Sequence, residues 1–514
     1  MSTLILTLFI TSSLSFLTYV FLVYPRKLDI PRVGPSSGSL GNTSMSYFQG
    51  HSLELIEEGY TKVRSLQSQP YQSCNLNFSI DSVKYKDGLY SLWTTDMDRV
   101  IVSAKFMKDF MSLPRSTVRL TASIRHAGPY TGMDIVEESG LQFDMCAGQL
   151  SQNIGRLAQP VFDEAASTLH AKFGKGENAS RSLSTPVFPL MIELVTSAIA
   201  RAFVGPGLCR NPEWLSTATG YTMDVAKVTT DLNAHYRVFH PVVAPFLKSY
   251  HEIQARFALA RELLFPLIET RRSGERNQHL DMLQWLIDSA KGPDAQTDKI
   301  VGSMLFLNMA AIHTTAEVAA NVLIELCAQP DYVSMLRKEM REALDEDPHI
   351  SLATLNKLKK TDSFIKESHR LNPLGLMTFN RYLSAPVQLS NGITLPAKTY
   401  ISMAHYPQQR DPEFYPAPLD FDGMRFFHLR QKEGKGDKYQ FASISSTEPW
   451  WGVGKFACPG RFWASAQIKL LLMAILLEFD LGFPDGQLEK PERVVAGAGL
   501  KTSVTQHIVL KRLK

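Results

Sequence analysis

One cysteine of this 514-residue chain stands in a setting that favours a thiolate. Cys458 has Trp451 seven residues before it, Gly454 four before it and Gly460 two after it, and a predicted helix follows at once. A helix N-terminus stabilises a thiolate and lowers its pKa. Glycines let the backbone approach a flat ligand closely and direct peptide N–H groups toward a sulfur. The pattern indicates a thiolate ligand, and the alternative is a buried structural cysteine in a turn.

Two further groups of residues precede this segment. Glu367 and Arg370 are spaced i, i+3 on a predicted helix, so they lie on one face and can pair, although such pairs are common on solvated faces. Earlier in the chain, residues 310–315 read Ala-Ala-Ile-His-Thr-Thr within a long apolar stretch. The polar side chains among them are His313, Thr314 and Thr315, and a threonine pair in an alanine-rich helix would by itself mean little.

The cysteine segment resembles the haem-binding loop of cytochrome P450, whose pattern is aromatic-x-x-Gly-x-basic-x-Cys-x-Gly. The resemblance implies haem b as the cofactor and Cys458 as the axial ligand of its iron. The other loop positions that match the pattern are Trp451, Gly454 and Gly460. The chain departs from the pattern at Phe456, where the family has a basic residue that contacts a haem propionate. We therefore expect that contact to come from elsewhere, and Lys455 is the candidate.

The same resemblance assigns roles to the other motifs. Glu367 and Arg370 match the family's ExxR pair, which is buried and joined by an arginine from the irregular segment before the haem loop. Arg425 in the stretch 420–426 takes that place, and the three residues are expected to form a structural network that supports the cysteine loop. Arg381 resembles the family's propionate-binding arginine, and the alternative is an exposed arginine on a strand.

In the long apolar helix, the resemblance places Thr314 over the oxygen-binding side of the haem, where its hydroxyl helps to deliver protons. His313 stands where the family has an acid. Two interpretations of His313 remain open: a member of the proton relay, or a packed polar residue that holds a distortion of the helix.

The implied activity is that of a haem-thiolate monooxygenase, which hydroxylates or otherwise oxidises an apolar small molecule with dioxygen. The chain has no GxGxxG at a strand–helix junction, so electrons are expected from a membrane-bound NADPH–cytochrome P450 reductase, with cytochrome b5 as a further candidate donor. The sequence Cys-Pro-Gly-Arg-Phe-Trp-Ala that begins at Cys458 resembles fungal members that oxidise secondary metabolites, such as a terpenoid or meroterpenoid. Two alternatives are rearrangement or dehydration without net oxygen insertion, and a non-catalytic membrane-anchored haem or lipid carrier.

Hydrophobic periodicity predicts a mainly α protein with a minor β part, which is the cytochrome P450 fold that the resemblance implies. The predicted helices cover residues 256–272, kinked or split at Pro266, and 281–290, 301–327, 361–371 and 462–479. Short strands are expected at 387–389 and 399–403, an irregular segment at 411–427 and an exposed loop at 431–440.

The N-terminus departs from the average composition. Residues 1–25 carry no charged side chain, and ~21 apolar residues make a helix of about 32 Å, which is enough to cross a bilayer. Basic residues follow this segment, so the positive-inside rule keeps the body in the cytosol. We expect an uncleaved N-terminal transmembrane helix at 1–25, a Pro/Gly hinge at 26–42 and a single catalytic domain at 43–514. The expected location is the endoplasmic reticulum membrane, crossed once, with a cytosolic catalytic domain.

The overall composition excludes several other classes of protein. The 54 Lys and Arg residues against 50 Asp and Glu residues leave a net charge of +4, which is too weak over this length to indicate nucleic-acid binding. The five cysteines are far apart and form no CxxC pair, so a disulfide framework and a structural zinc site are not expected.

Overall fold

The computed structural model describes residues 28, 30–34, 42–61, 87–95, 97–120, 122–174, 181–274, 279–432, 434, 436 and 438–513. The predicted membrane anchor at 1–25, most of the hinge at 26–42, and Cys74 lie outside the described residues. In the part of the chain that is described, no helix is both long and apolar enough to cross a membrane. The chain divides into two compact units, and the prediction of a single catalytic domain stays a prediction.

The first unit contains the described residues up to Ala122 together with Thr378–Ala404 and Gly454–Phe456. Its main feature is a six-stranded mixed sheet, whose strands in spatial order are Arg32–Val33, Leu89–Trp93, Asp98–Val102, Tyr400–Ala404, Met377–Leu383 and Val118–Arg119. A hairpin joins Val387–Gln388 to Thr394–Leu395, and the helices are Asn42–Thr61 and Met107–Met111. The strand predicted at 399–403 is found at Tyr400–Ala404, and the strand predicted at 387–389 is the first arm of the hairpin.

The second unit is mainly helical. Its longer helices are Ala122–Thr131, Ile154–Phe173, Val187–Phe203, Pro212–Asn233, Lys248–Ser273, Met282–Ser289, Thr297–Ala328, Asp331–Glu346, Lys359–Leu371 and Arg461–Leu476. Its shorter helices are Ile135–Glu138, Leu141–Met145, His240–Val243, Leu352–Lys357, His405–Gln408 and Arg425–Arg430, with a π-helical turn at Cys146–Leu150. One antiparallel sheet has the order Phe479–Gly482, His507–Arg512, Ser182–Pro186, and Val494–Ala496 pairs with Gly499–Lys501.

The long apolar stretch predicted as a helix at 301–327 is found as Thr297–Ala328, which packs against Val187–Phe203. It is buried over most of its length, as expected for a helix that is apolar on nearly all sides. Of the two effects predicted for Pro266 on its helix, a kink or a split, the split is wrong, because Lys248–Ser273 is one continuous helix with Pro266 inside it. The kink stays a prediction. Pro266 lies on the exposed side, where water can solvate the carbonyl that loses its helical hydrogen bond.

Helix Lys359–Leu371 has the composition of a surface helix but is buried. Its sequence is rich in charged and polar residues, yet every residue from Thr361 to Leu371 is buried. Glu339 caps its first turn, because the Glu339 carboxylate accepts hydrogen bonds from the N–H groups of Lys360 and Thr361 at 2.7 and 2.9 Å. A buried polar helix needs internal partners for each charge, and these partners come from the segments that follow it.

Candidate functional site

Cys458 lies three residues before the helix Arg461–Leu476 and is half-buried as a free thiol. Its N–H donates to the carbonyl of Trp451 at 2.6 Å, and the peptide N–H groups of Gly460 and Arg461 are directed at its sulfur. Burial nevertheless raises the pKa of the thiol, against the opposing effect of these N–H groups and of the Arg461 guanidinium. This direction is opposite to the one expected from the helix N-terminus alone. A metal cation at the sulfur would favour the thiolate outright.

The structure gives different reasons for the presence of glycine at two positions of the loop. Gly454 has a φ of +52°, which is left-handed backbone that glycine adopts without strain. Gly460 has a φ of −89°, and a Cβ placed there would meet no described atom within 4 Å. Neither backbone conformation nor packing within the described chain therefore requires glycine at position 460. A flat ligand that approaches the backbone closely would require it.

Trp451 is held firmly at the start of the loop. Its indole N–H donates to the carbonyl of Phe441 at 2.6 Å, and its ring lies 5.2 Å from that of Phe441. The ring of His369 stacks on it with a centroid distance of 6.4 Å and an interplanar angle of 22°. Because the Trp451 carbonyl accepts the N–H of Cys458, the position of Trp451 determines the backbone conformation of the cysteine.

Glu367, Arg370 and Arg425 are brought together in one buried network. The Arg370 Nε and Nη2 donate to the two Glu367 carboxylate oxygens at 2.9 and 2.8 Å, and the Arg425 Nε donates to Oε1 at 3.1 Å. The Arg370 guanidinium also donates to the carbonyls of Gln409 and Pro418, each at 2.7 Å. The three side chains pair as the resemblance implies, and they tie helix Lys359–Leu371 to the segment that follows it. Their support of the cysteine loop stays a prediction.

Arg381 lies in the strand Met377–Leu383 of the first unit and is half-buried rather than exposed. Its guanidinium donates to the carbonyls of Asn380 at 2.8 Å and Phe456 at 3.1 Å, and it lies 4.9 Å from the ring centroid of Phe379. Burial lowers its pKa to about 10. Among the described residues, no carboxylate forms an ion pair with Arg381. A desolvated guanidinium in this position suits an anionic ligand such as a propionate.

Lys455 is exposed. Its ammonium donates to the carbonyl of Ser112 at 2.9 Å, and its own carbonyl accepts a hydrogen bond from Arg115 at 3.3 Å. These contacts lie within the first unit, and the role of Lys455 toward a propionate stays a prediction.

Thr314 and Ala310 are exposed in the middle of helix Thr297–Ala328, between two stretches whose residues are mostly buried. They are spaced i, i+4 on the same helix face, and the Thr314 hydroxyl donates to the Ala310 carbonyl at 2.7 Å. His313 is half-buried, and its Nδ1 is buried without a hydrogen-bond partner among the described residues. Burial and the positive charge of Lys501 lower the pKa of His313, so its imidazole is neutral at pH 7.

These observations test whether the described residues fit the haem that the sequence predicts. The Cys458 sulfur has two peptide N–H groups directed at it, and position 460 has room for a closely approaching ligand. In the first unit, Arg381 is a half-buried cation that forms no ion pair with a described carboxylate. Helix Thr297–Ala328 exposes a small residue and a hydroxyl at its centre. The residues of the second unit fit a haem held by Cys458, and the role of Arg381 toward its carboxylates stays a prediction.

Sequence reasoning missed a set of buried charges and rings next to this network. Asp362, Lys366 and His369 are buried on helix Lys359–Leu371, and each contacts a residue of the segment that leads to Trp451. Their spacing at i, i+4 and i+7 is a signal for a shared helix face. It was not sufficient for a prediction, because charged residues with this spacing are typical of a solvated face.

Two buried histidines predict that acid destabilises the fold. Burial lowers the pKa of both His369 and His405 to about 3, with contributions from neighbouring positive charges. The folded state therefore binds fewer protons than the unfolded state, whose histidines titrate near 6.5, and stability falls as the pH drops below about 7. From pH 7 to pH 5, each histidine should cost about 2 kcal/mol of unfolding free energy.

Urea unfolding of the wild type and of a His369→Leu/His405→Leu variant at pH 8, 7 and 5 measures this effect. The variant should lose clearly less stability between pH 7 and pH 5 than the wild type, by about 4 kcal/mol. Between pH 8 and pH 7 the two proteins should change almost in parallel. Equal acid sensitivity of the two proteins would show that other groups, such as the carboxylates, carry the pH dependence.

Comparison with known proteins agrees with this site. A family model described as Cytochrome P450 matches residues 144–509. The chain is 31% identical over 459 residues to cytochrome P450 monooxygenase olcJ of Penicillium canescens, covering 84% of this chain and 86% of that protein. It is 31% identical over 522 residues to cytochrome P450 monooxygenase braC of Annulohypoxylon truncatum, covering 99% and 97%.

Two other similarities extend the comparison. An ent-kaurene oxidase of Gibberella intermedia is 32% identical over 409 residues, covering 79% of this chain and 77% of that protein. The solved structure of retinoic acid bound cyanobacterial CYP120A1 has a TM-score of 0.64 at 18% identity, covering 83% of this chain and 92% of that chain. At this identity, the structural similarity shows the fold alone.

Proposed function

The chain belongs to the cytochrome P450 family, and on that basis we propose that it hydroxylates or otherwise oxidises an apolar fungal secondary metabolite, such as a terpenoid or meroterpenoid. It is an oxidoreductase with haem b as its cofactor. The substrate class is supported by relatives that are monooxygenases and by one named for the oxidation of ent-kaurene.

The observation that carries the proposal is the environment of the Cys458 sulfur. Two peptide N–H groups are directed at it, and its backbone is held by Trp451. Hydrogen bonds to a thiolate ligand and burial around it tune the electron density at the metal. When bound, haem b supplies the activation of dioxygen and the transfer of one oxygen atom. The protein has to bind the substrate, position it and control the supply of protons.

The helix Thr297–Ala328 provides the groups for that control. Ala310 has a small side chain, which leaves room on the exposed face of the helix, and Thr314 places a hydroxyl one turn further along. The Thr314 hydroxyl donates its hydrogen bond to the Ala310 carbonyl. Its oxygen lone pairs are therefore available to accept a hydrogen bond from another donor. His313, neutral at pH 7, can accept a proton at its unpartnered Nδ1 and pass it on.

The test of the function is product formed per NADPH consumed, with reductase present, in the Thr314→Ala variant. Without the hydroxyl, protons are delivered less selectively, so we expect lower product yield and more hydrogen peroxide, with substrate affinity and haem spectrum nearly unchanged. Thr505→Ala, which removes an exposed hydroxyl near the C-terminus, is the matched control. Normal coupling of NADPH use to product in Thr314→Ala would remove the argument for oxygen-activating chemistry.

His313 in the place of the family's acid is the one observation that favours a second function, a rearrangement or dehydration without net oxygen insertion. Oxygen-18 from labelled dioxygen distinguishes the two, because only a monooxygenase transfers it to the product. If His313 belongs to the proton relay, His313→Ala should slow oxygen activation in a pH-dependent way and His313→Asp should restore part of it. If it is a packing residue, both variants should change stability and leave coupling unchanged.

The proposed electron donors are a membrane-bound NADPH–cytochrome P450 reductase and cytochrome b5. The proposed location is the endoplasmic reticulum membrane, with the catalytic part in the cytosol. The charge-free stretch 1–25 supports this proposal, with basic residues directly after it. A second support lies in the segment 236–246, where large apolar side chains are exposed. They are Tyr236, Val238, Phe239, Val242 and Phe246, and Phe246 is 84% exposed.

Deleting residues 1–24 should release much of the protein from membranes while haem binding is retained. A residual fraction should stay membrane-bound through the exposed apolar segment, because such side chains bury favourably at a lipid interface. Adding Phe239→Ser and Phe246→Ser to the deletion should release this remainder, as measured by ultracentrifugal fractionation. Complete release by the deletion alone would exclude a second contact, and loss of haem on deletion would count against a separate anchor.

A further inference from the structure

Helix Lys359–Leu371 presents two neighbouring stripes of buried polar side chains. The first consists of Ser363, Glu367 and Arg370, and it binds the irregular segment that contains Arg425. Glu367 and Arg370 form the network already described, and the Ser363 hydroxyl donates to the Gly423 carbonyl at 2.8 Å. Each residue of the second stripe precedes one of the first by a single position, with the same i, i+4, i+7 spacing.

Asp362 begins the second stripe and is 3% exposed. Its carboxylate accepts the peptide N–H of Phe441 at 2.9 Å and forms ion pairs with Lys469 at 2.8 Å and Arg430 at 3.4 Å. A charge-assisted hydrogen bond to a buried peptide N–H is among the stronger contacts that a helix can offer a loop. It fixes Phe441, whose carbonyl in turn accepts the Trp451 indole N–H.

Lys366 is one turn further along, and its side chain is completely buried. Its ammonium pairs with the Glu448 carboxylate at 2.8 Å and lies 4.4 Å from the ring centroid of Phe426. The rings of Tyr439 and Trp450 are each 5.6 Å from it. An ammonium held by three aromatic rings and one carboxylate anchors both ends of the segment from Tyr439 to Trp450.

His369 completes the stripe. Its ring packs edge-on against Phe441 at 5.6 Å and Trp450 at 5.5 Å, and it stacks on Trp451. The three residues of the stripe therefore contact both ends of the segment from Tyr439 to Trp451. The segment ends at Trp451, whose carbonyl accepts the N–H of Cys458.

We propose that Asp362, Lys366 and His369 form a second clamp on this helix, which positions Trp451 and, through it, the backbone of Cys458 for ligation of the haem iron. The proposal rests on the proposed function, in which Cys458 is the iron ligand. The three residues act through Trp451 and are positioning residues. The clamp differs from the Glu367–Arg370–Arg425 network, because each of its three residues contacts a residue between Tyr439 and Trp451.

The test measures haem content and the fraction of the purified holoenzyme that shows the red-shifted Soret band of the reduced carbon monoxide complex, which reports thiolate ligation. In Lys366→Met, the ratio of thiolate-ligated to non-ligated protein should fall about tenfold, as expected for the loss of one charge-assisted hydrogen bond that holds the loop. Lys366→Arg keeps a cation for Glu448 and should recover much of the band. If Lys366→Met does not fold, His369→Leu provides the same readout through the loss of the stacked ring.

Two controls separate the clamp from a general loss of stability. Arg271→Met breaks a buried ion pair with Asp281 elsewhere in the helical unit, and it should lower the unfolding midpoint while the band fraction stays at the wild-type level. Lys366→Met/Glu448→Gln removes the unpaired carboxylate, so its unfolding midpoint should recover while the band does not.

A wild type without the red-shifted band would overturn the proposed function itself. With the band present in the wild type, its full retention in Lys366→Met and His369→Leu would overturn the clamp. Recovery of the band in the Lys366→Met/Glu448→Gln variant, or an equal loss in Arg271→Met, would also overturn it. Either result would assign the effect to an unpaired charge or to lower stability.

Discussion

A Cys458→Ala variant should show no red-shifted Soret band in its reduced carbon monoxide complex and no monooxygenase activity. Cys458 is the thiol with peptide N–H groups of Gly460 and Arg461 directed at its sulfur. Other cysteines are poor substitutes as ligands. Burial raises the pKa of Cys146 and Cys327 to about 12 each, so neither becomes a thiolate at neutral pH. The spectrum of the purified protein under carbon monoxide measures this loss directly.

The matched control for this prediction is Cys327→Ala. Cys327 is buried in helix Thr297–Ala328, so its replacement tests the cost of altering a buried thiol without altering the loop. The control should keep the band. It should lower only the unfolding midpoint, because the small cavity left by the missing sulfur removes packing contacts. A band that survives in Cys458→Ala, or disappears in Cys327→Ala, would show that Cys458 is not the iron ligand.

Glu367→Gln should prevent accumulation of haem-loaded protein. The carboxylate is completely buried and accepts hydrogen bonds from two guanidinium groups, those of Arg370 and Arg425, and from the N–H of Asp422 at 3.1 Å. An uncharged amide leaves two buried cations without an anion, which costs about 3–5 kcal/mol. A typical domain has only about 5–15 kcal/mol of stability in total. Soluble yield, haem content per chain and the unfolding midpoint measure the effect.

An exposed carboxylate provides the comparison. Glu252→Gln removes the anion of the solvent-exposed pair with Lys227, and pairs of this kind contribute little to stability. It should leave yield and haem content unchanged. Normal haem loading in Glu367→Gln would mean that the network around Arg370 is held by its hydrogen bonds to backbone carbonyls, and that the carboxylate charge is dispensable.

The structure also explains the glycine at position 423, in the segment around Arg425. A Cβ at Gly423 would lie 2.7 Å from Phe364 and 2.8 Å from Tyr332, and the Tyr332 hydroxyl accepts the Gly423 N–H at 3.2 Å. Two aromatic rings therefore occupy the space of a side chain. Sequence reasoning could note the glycine but not the rings, because Tyr332 and Phe364 come from other elements.

Local patterns in the sequence were sufficient to predict several helices and strands, and to indicate which single residues could do chemistry. Apolar composition over a long stretch predicted helix Thr297–Ala328, and the cysteine with its flanking glycines indicated the thiolate loop. Both depend on interactions between residues close in the chain, such as helical hydrogen bonds and the conformational freedom of glycine. The spacing of Glu367 and Arg370 indicated that they share a helix face for the same reason.

Burial and partners were decided only by the tertiary structure. Helix Lys359–Leu371 has the composition of a surface helix, yet it is buried, and its charges are neutralised by residues distant in the chain, such as Glu448, 82 positions from Lys366. Burial also reversed the expected direction of the Cys458 pKa, because desolvation depends on every element packed around the thiol. The sequence by itself thus determined which residues could do the chemistry. The packing of distant segments decided which charges are buried, what they pair with and how the cysteine loop is held.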